Sequence, residues 1–224
     1  MSAATRRTAQ AVEAAGIPAE RWGEARLARL SEAEREFYRW ILRRFADARI
    51  PDAAAAREAA SHIGLDPDDA FDKLAREDLV HRDAGTGEIA VAYPFSGRHT
   101  AHRVRIGGRN EVDAMCAIDA LGISFMLGEA TEVASHDHLS GEEVRVWVDP
   151  GGGVRWQPEG AAVFAGSDRC DGPAAAVCCA FVNFFASRES AERYLHETPG
   201  LGGEVLSIPE ALEAGRTVFG GLLR

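Results

Sequence analysis

The sequence predicts an α+β protein: a helical, winged-helix-like domain over residues 1–92, then a mixed, mostly antiparallel sheet domain with flanking helices over residues 93–224. Three observations carry this reading. Apolar residues first recur at helical spacing. From Tyr93-Pro94 onward, "HRVRI" and "EVRVWV" alternate polar and apolar as half-buried strands do. Short turns such as "SGEE" and "PGGG" join those strands, which favours antiparallel neighbours.

Residues 1–30 contain short Ala-rich helical pieces broken at Gly16-Ile17-Pro18. A stronger helix begins at "SEAE", where Ser31 and Glu34 can form a capping box ahead of Phe37, Trp40, Ile41 and Phe45. "IPDAAAAREAASHIGLDPDDAFDKLAREDLVHRD" then reads as helix, turn at Gly64, second helix, and a small hairpin around Gly85 and Gly87. In the second part, "AAVFAG" and "VCCAFVNFF" read as interior strands. Two helices close the chain, one capped by Ser187 and one by a Ser207/Glu210 box with Pro209 in its first turn.

The order of helices and hairpin suggests a DNA reader, but its charge does not. The segment Asp66–Asp78 carries six acids (Asp66, Asp68, Asp69, Asp72, Glu77, Asp78) against Lys73 and Arg76. A helix in the major groove needs the opposite balance, and a net charge of −10 disfavours nucleic acid and anionic lipid generally. The unit is therefore expected to be structural or to serve an interaction. A hydrophobic content of 46% suffices for a packed core, and no run of about eighteen apolar residues offers a membrane span. Arg6-Arg7 is not followed by an apolar segment, so a cytoplasmic location is expected.

The four cysteines, Cys116, Cys170, Cys178 and Cys179, all fall in the second half of the chain. In a reducing compartment that concentration suggests catalysis or metal binding more than stapling. In "AMCAIDALG", Cys116 and Asp119 stand at i and i+3, on one face of a helix that Asp113 or its neighbours begin. The helix end favours thiolate there and apolar burial opposes it. Alone, a C-x-x-D is ordinarily a small core residue beside a capping or solvated acid. Cys178 and Cys179, in a strand, point to opposite faces, and a buried cysteine fits a strand interior without any duty. Cys170, in the polar "GSDRCDGP", is either an incidental thiol or a delivery point for a metal. "HDH" at 136–138 is a weak metal pattern that reads better as a solvated loop.

Taken together, "HRVRIGGRNEVDAMCAIDALGISFMLG", "CCAFVNFFAS" and the final "SIPEALEAGR" closely resemble the organomercurial lyases (alkylmercury lyases), over about residues 93–220. The helical N-terminal part is compatible with that family's pseudo-winged-helix domain. The resemblance implies cleavage of carbon–mercury bonds by two cysteines and an aspartate, with no organic cofactor. The C-x-x-D pair matches Cys116 and Asp119. The second cysteine precedes the first phenylalanine of the Phe-Phe pair by five residues, which is Cys179, with Cys178 the alternative. Hg2+, the product, would rest on Cys116 and Cys179 with Asp119 as a third ligand, until small thiols or a mercuric reductase removed it.

Soft mercury suits thiolate sulfur, and a carbon leaving as a carbanion needs an acid beside the sulfurs. Met115, Ile118, Phe125 and Phe181 are candidates for the apolar walls of the substrate pocket or the core behind it. Two departures from the family stand out. Asp137 occupies a place where a structural cysteine is found in some members, and Asp113 one where an aromatic residue is frequent. Two other readings remain: a soft-metal binding or sensing protein, and a lyase scaffold recruited to other thiol-dependent chemistry.

Overall fold

The computed structural model describes residues 23–167, 174 and 178–223. The expected helical pieces of residues 1–22, and Cys170, lie outside the described residues. A 3-10 turn, Gly23–Leu27, leads into helix α1, Glu32–Ala46. The capping box forms as expected, with Ser31 Oγ accepting from the Glu34 amide and the Glu34 carboxylate accepting from the Ser31 amide. Such a cap contributes about 1 kcal/mol. One face of α1 buries Phe37, Tyr38, Ile41, Leu42 and Phe45. Helices α2 (Ala53–His62) and α3 (Pro67–Arg76) follow, each started by an aspartate, Asp52 and Asp66, whose carboxylate accepts first-turn amides. Strands β1 (Val80–Arg82) and β2 (Ile89–Ala92) make the expected hairpin, its turn held by Asp83 accepting from the Gly85 and Thr86 amides.

The hairpin does not stop at residue 92. β2 pairs with β3 (Phe95–Ser96), and β3 pairs with β5 (Asn110–Ala114), so one sheet runs across the change in sequence texture. With β4 (Arg103–Ile106), β6 (Thr131–His136), β7 (Glu143–Val148) and β8 (Val154–Gln157), the order is β1-β2-β3-β5-β4-β6-β7-β8. A second sheet has the order β10-β9-β11, from β9 (Ala162–Ser167), β10 (Asn183–Phe185) and β11 (Gly202–Ser207). Every strand pair described is antiparallel. The molecule is α+β with mixed helices and antiparallel sheet.

Helix α4, Ala117–Leu127, is buried from Ala117 to Met126, the pattern of a helix enclosed on all sides. It packs on β4, β5 and β6 of the large sheet and on the last helix, α6 (Ile208–Phe219), which in turn packs on β9 and β11 of the small sheet. The α4–α6 pair is thus the layer between the sheets. Helix α5 (Arg188–Glu197), capped by Ser187, covers the small sheet through Ala191 and Tyr194 against Phe164 and Phe185.

Two expectations are corrected. Asp113 does not begin a helix: it belongs to β5, which runs to Ala114, and α4 starts only after Cys116. "VCCAFVNFF" is not one strand either. Only Asn183–Phe185 is extended, and Cys178–Phe181 form a turn. The amides of Cys178 and Cys179 both donate to the Ala174 carbonyl, at 3.0 and 2.8 Å, which curls the chain there. Their apolar side chains suit either conformation, and the turn satisfies backbone groups that a buried strand end would leave without partners.

The α4–α6 crossing requires glycine on both sides. A Cβ on Gly215 would stand 2.8 Å from the Gly122 nitrogen and 2.9 Å from the Ile118 carbonyl oxygen, both backbone atoms. Gly215→Ala is expected to destabilise the fold by about 1–3 kcal/mol, as overpacking does, measured by urea unfolding. An unchanged midpoint would show that the helices are free to separate.

Candidate active site

Cys116 is the N-cap of α4, with an extended backbone (φ −153°, ψ 178°), and Asp119 is the third helical residue. Their relation is therefore that of a cap to its helix. The Asp119 amide donates to Cys116 Sγ at 3.4 Å, the bond that a serine or aspartate cap would receive. The second sulfur arrives from the turn before β10. The Ala117 amide, at the first helical position, donates to the Val182 carbonyl at 3.0 Å, and the Val182 amide donates to the Cys178 carbonyl at 3.1 Å. Helix start and cysteine turn are thus joined through the backbone.

The result is a compact group. Cys116 Sγ, Cys179 Sγ and an Asp119 carboxylate oxygen all lie within 4.8 Å of one another, and all three residues are buried. The Cys179 thiol donates to Asp119 Oδ2 at 3.7 Å. Among the described residues this is the group of three possible ligand side chains gathered within common reach of one ion. Cys178 Sγ is 4.0 Å from Cys179 Sγ and donates to the Ala174 carbonyl at 3.2 Å. In the turn the two neighbouring thiols are adjacent, where a strand would have sent them to opposite faces; Cys178 is bound to backbone and stays outside the group of three.

Burial decides the electrostatics, against the pull of the helix end. It pushes the Cys116 thiol up to about 12, although its bonds to Cys179 and to the Asp119 amide act in the other direction. The Cys179 thiol is held well above its usual range by its hydrogen bonds with Cys116 and Cys178, with burial adding to them. Burial likewise raises the Asp119 carboxyl to about 7, opposed by its bond to Cys116 and by the positive charge of Arg26. Near neutral pH the site therefore holds thiols, not thiolates, beside an acid that exchanges its proton freely. Such pairing of perturbed groups marks functional sites.

The other candidates separate clearly. Ile118 is fully buried and Met115 half-buried against the main core. Phe125 lies under the Arg216 guanidinium, 4.3 Å from its ring centre, six residues and about 9 Å along the helix from Asp119. Phe181 packs on the Phe164–Phe185–Tyr194 cluster. His136 and His138 are exposed and belong to no group of three possible ligands among the described residues. Between them Asp137 is buried and accepts from the amides of Leu139, Ser140 and Ala186, each at 2.8 Å. Its carboxylate thereby ties the β6–β7 turn to the end of β10. Asp113, half-buried, accepts from the Thr100 amide and faces His99 Nδ1, both at 3.1 Å.

The sequence reading missed several residues around the group. Tyr93 is buried, and the neighbouring Cys179 is the foremost of the charges that, after burial, raise its phenol. The Tyr38 hydroxyl donates to the Tyr93 carbonyl at 2.8 Å. Arg26, 8% exposed, stacks over Phe219 and leaves Nε and Nη1 without hydrogen-bond partners. Its charge reaches Asp119 through a poorly screening interior. Arg26 stands with Arg29 in "ARLARL", and no signal in the sequence tells the buried arginine from the exposed one; Tyr93 was marked only as the start of the second texture.

The sequence model of the family MerB, alkylmercury lyase, matches residues 95–220, more than half of the chain and all of the site. The chain belongs to the alkylmercury lyase family. An alkylmercury lyase of Bacillus cereus is 32% identical over 117 residues, covering 52% of this chain and 52% of that protein. The aligned part thus spans about half the length of that relative. An alkylmercury lyase of Streptomyces lividans is 28% identical over 175 residues, 78% of this chain and 72% of that one. A crystal structure of the mercury-bound form of MerB2 superposes with a TM-score of 0.73 at 24% identity, covering 90% of this chain and 96% of that one. At that identity it establishes the lyase fold.

A buried acid raised to about 7 binds its proton more tightly folded than unfolded, where it sits near ~3.9. Its contribution to stability is complete below the unfolded value and is lost as pH rises through about 7. Between pH 4 and 8, Asp119→Asn is therefore expected to gain stability relative to the wild type, by at most about 4 kcal/mol. Denaturant unfolding at each pH measures the difference, and a difference independent of pH would contradict the assigned shift.

Proposed function

We propose that the protein cleaves carbon–mercury bonds in organomercurials, releasing a hydrocarbon and Hg2+. The observation that carries the reading is the meeting of two sulfurs and one carboxyl within 4.8 Å, in a member of this family. Mercury is soft and prefers sulfur. As R–Hg+ enters, Cys116 Sγ bonds to mercury and its thiol proton passes to Asp119. Cys179 Sγ then adds and its proton leaves to solvent. With two sulfurs on the metal, the carbon–mercury bond breaks and its electron pair stays on carbon. Asp119 delivers its proton there, and RH departs. Two thiol protons are lost, one is carried to carbon and one released, and Hg2+ is left on both sulfurs with Asp119 beside it.

The starting protonation suits this cycle. Thiols kept neutral by burial cost little without substrate and ionise only when mercury replaces the proton. An acid near 7 can both take and give a proton at ambient pH. The reading needs no organic cofactor. The acceptor of Hg2+ is a small thiol or a mercuric reductase, and the location is cytoplasmic; no described helix is long and apolar enough to cross a membrane.

For the N-terminal part, the reading is a winged-helix-like unit with a structural task and no nucleic-acid partner. Its support is the order α1–α2–α3–β1–β2 and the fate of the acids on α3. Asp66 caps the helix, and Asp68 pairs with Arg57 at 2.5 and 3.0 Å.

Incubation with phenylmercury and excess thiol is expected to yield benzene. Cys116→Ser and Cys179→Ser should fall to the uncatalysed rate, and Asp119→Asn by at least about a hundredfold, the ordinary share of a proton donor. Stoichiometric retention of mercury without benzene would replace the lyase with a soft-metal binding protein.

A further inference from the structure

The geometry points to Asp78 as a positioning residue that holds Cys179 in place from the helical unit. Asp78 follows α3 and is buried, at 5% exposure, with a left-handed backbone (φ 53°). Its amide donates to the Ala75 carbonyl at 3.0 Å, closing the helix, so the side chain leaves from a fixed point. Asp78 Oδ1 meets His81 Nε2 on β1 at 2.6 Å, and Oδ2 accepts from the Ala174 amide at 3.1 Å. Ala174 is the residue whose carbonyl receives the Cys178 amide, the Cys179 amide and the Cys178 thiol, at 3.0, 2.8 and 3.2 Å.

A continuous chain of bonds therefore runs from His81 through Asp78 and Ala174 to the turn carrying the second sulfur. From the side of α4 that turn is held at its exit, where the Ala117 amide donates to the Val182 carbonyl, and through the Cys179 thiol on Asp119. The entry of the turn is fixed from the helical unit, 96 residues earlier in the chain than Ala174. Second-layer bonds of this kind orient ligands, and their loss ordinarily lowers metal affinity or activity about 10–100-fold. The unit that resembles a DNA reader thus acquires a task in the site.

The test uses Asp78→Gly and Asp78→Asn in the full chain. Both residues accept a left-handed backbone, so neither adds strain. Glycine removes the acceptor, whereas the asparagine carbonyl can still receive the Ala174 amide. Native alkylation by N-ethylmaleimide, read for each cysteine by peptide mass spectrometry, gives positioning directly; benzene release from phenylmercury gives turnover and rests on the lyase reading. Asp78→Gly should label Cys179 about tenfold faster with Cys116 unchanged, and lower turnover about 10–100-fold. Asp78→Asn should restore both.

Wild-type labelling and turnover in Asp78→Gly would overturn the proposal. So would equal impairment in the two variants, or a parallel rise in labelling of both cysteines, which would signify general loosening. A wild-type protein releasing no benzene would remove the lyase reading alone, because the labelling ratio is obtained without turnover.

Discussion

One backbone hydrogen bond, from the Ala117 amide to the Val182 carbonyl at 3.0 Å, joins the two segments on which the site depends. The first amides of a helix have no partner within it, so they bond elsewhere. Here one such amide takes a carbonyl from a distant turn while the next cap bond goes to the Cys116 sulfur. The same helix start that presents one thiol therefore anchors the segment presenting the other. A sulfur–sulfur separation suited to one large ion follows from ordinary helix termination, with no strand or disulfide needed to impose it.

The surroundings keep the group protonated. Burial alone would make a thiolate pair and a carboxylate mutually intolerable, and the site avoids this by remaining protonated. Arg26, a guanidinium stacked on Phe219 with Nε and Nη1 unpartnered, adds to the bond from Cys116 in opposing the rise of the Asp119 carboxyl. Behind the group, the close glycine-to-glycine passage of α4 and α6 fixes the helix between two sheets. The helix that begins at Cys116 is thereby held by a close backbone contact in the core.

Much of this was legible in the residues. The capping boxes at Ser31 and Ser207, the Asp83 hairpin and the alternation in β7 are local signals, and local bonds realise them. The pairing of Cys116 with Asp119 was legible as spacing, although the spacing is that of a cap to its helix and not of two residues on one helix face. The conformation at Cys178-Cys179 was not legible. An apolar run with aromatic neighbours reads as a strand, whereas the Cys178 and Cys179 amides close a turn on the Ala174 carbonyl, four and five residues back, which hydrophobic periodicity does not encode. Asp78 was not legible either: it was counted among the acids of a would-be reading helix, whereas its partners lie on β1 and at residue 174. Tertiary bonds between remote segments leave no periodic trace.

The central claim is that Cys116 and Cys179 grip one soft ion together. X-ray absorption at the mercury edge, on protein loaded with one equivalent of Hg2+, tests it most directly. The account predicts two sulfur neighbours, reduced to one when Cys116 is replaced by serine. A single sulfur in the wild type, or two sulfurs persisting in Cys116→Ser, would contradict it.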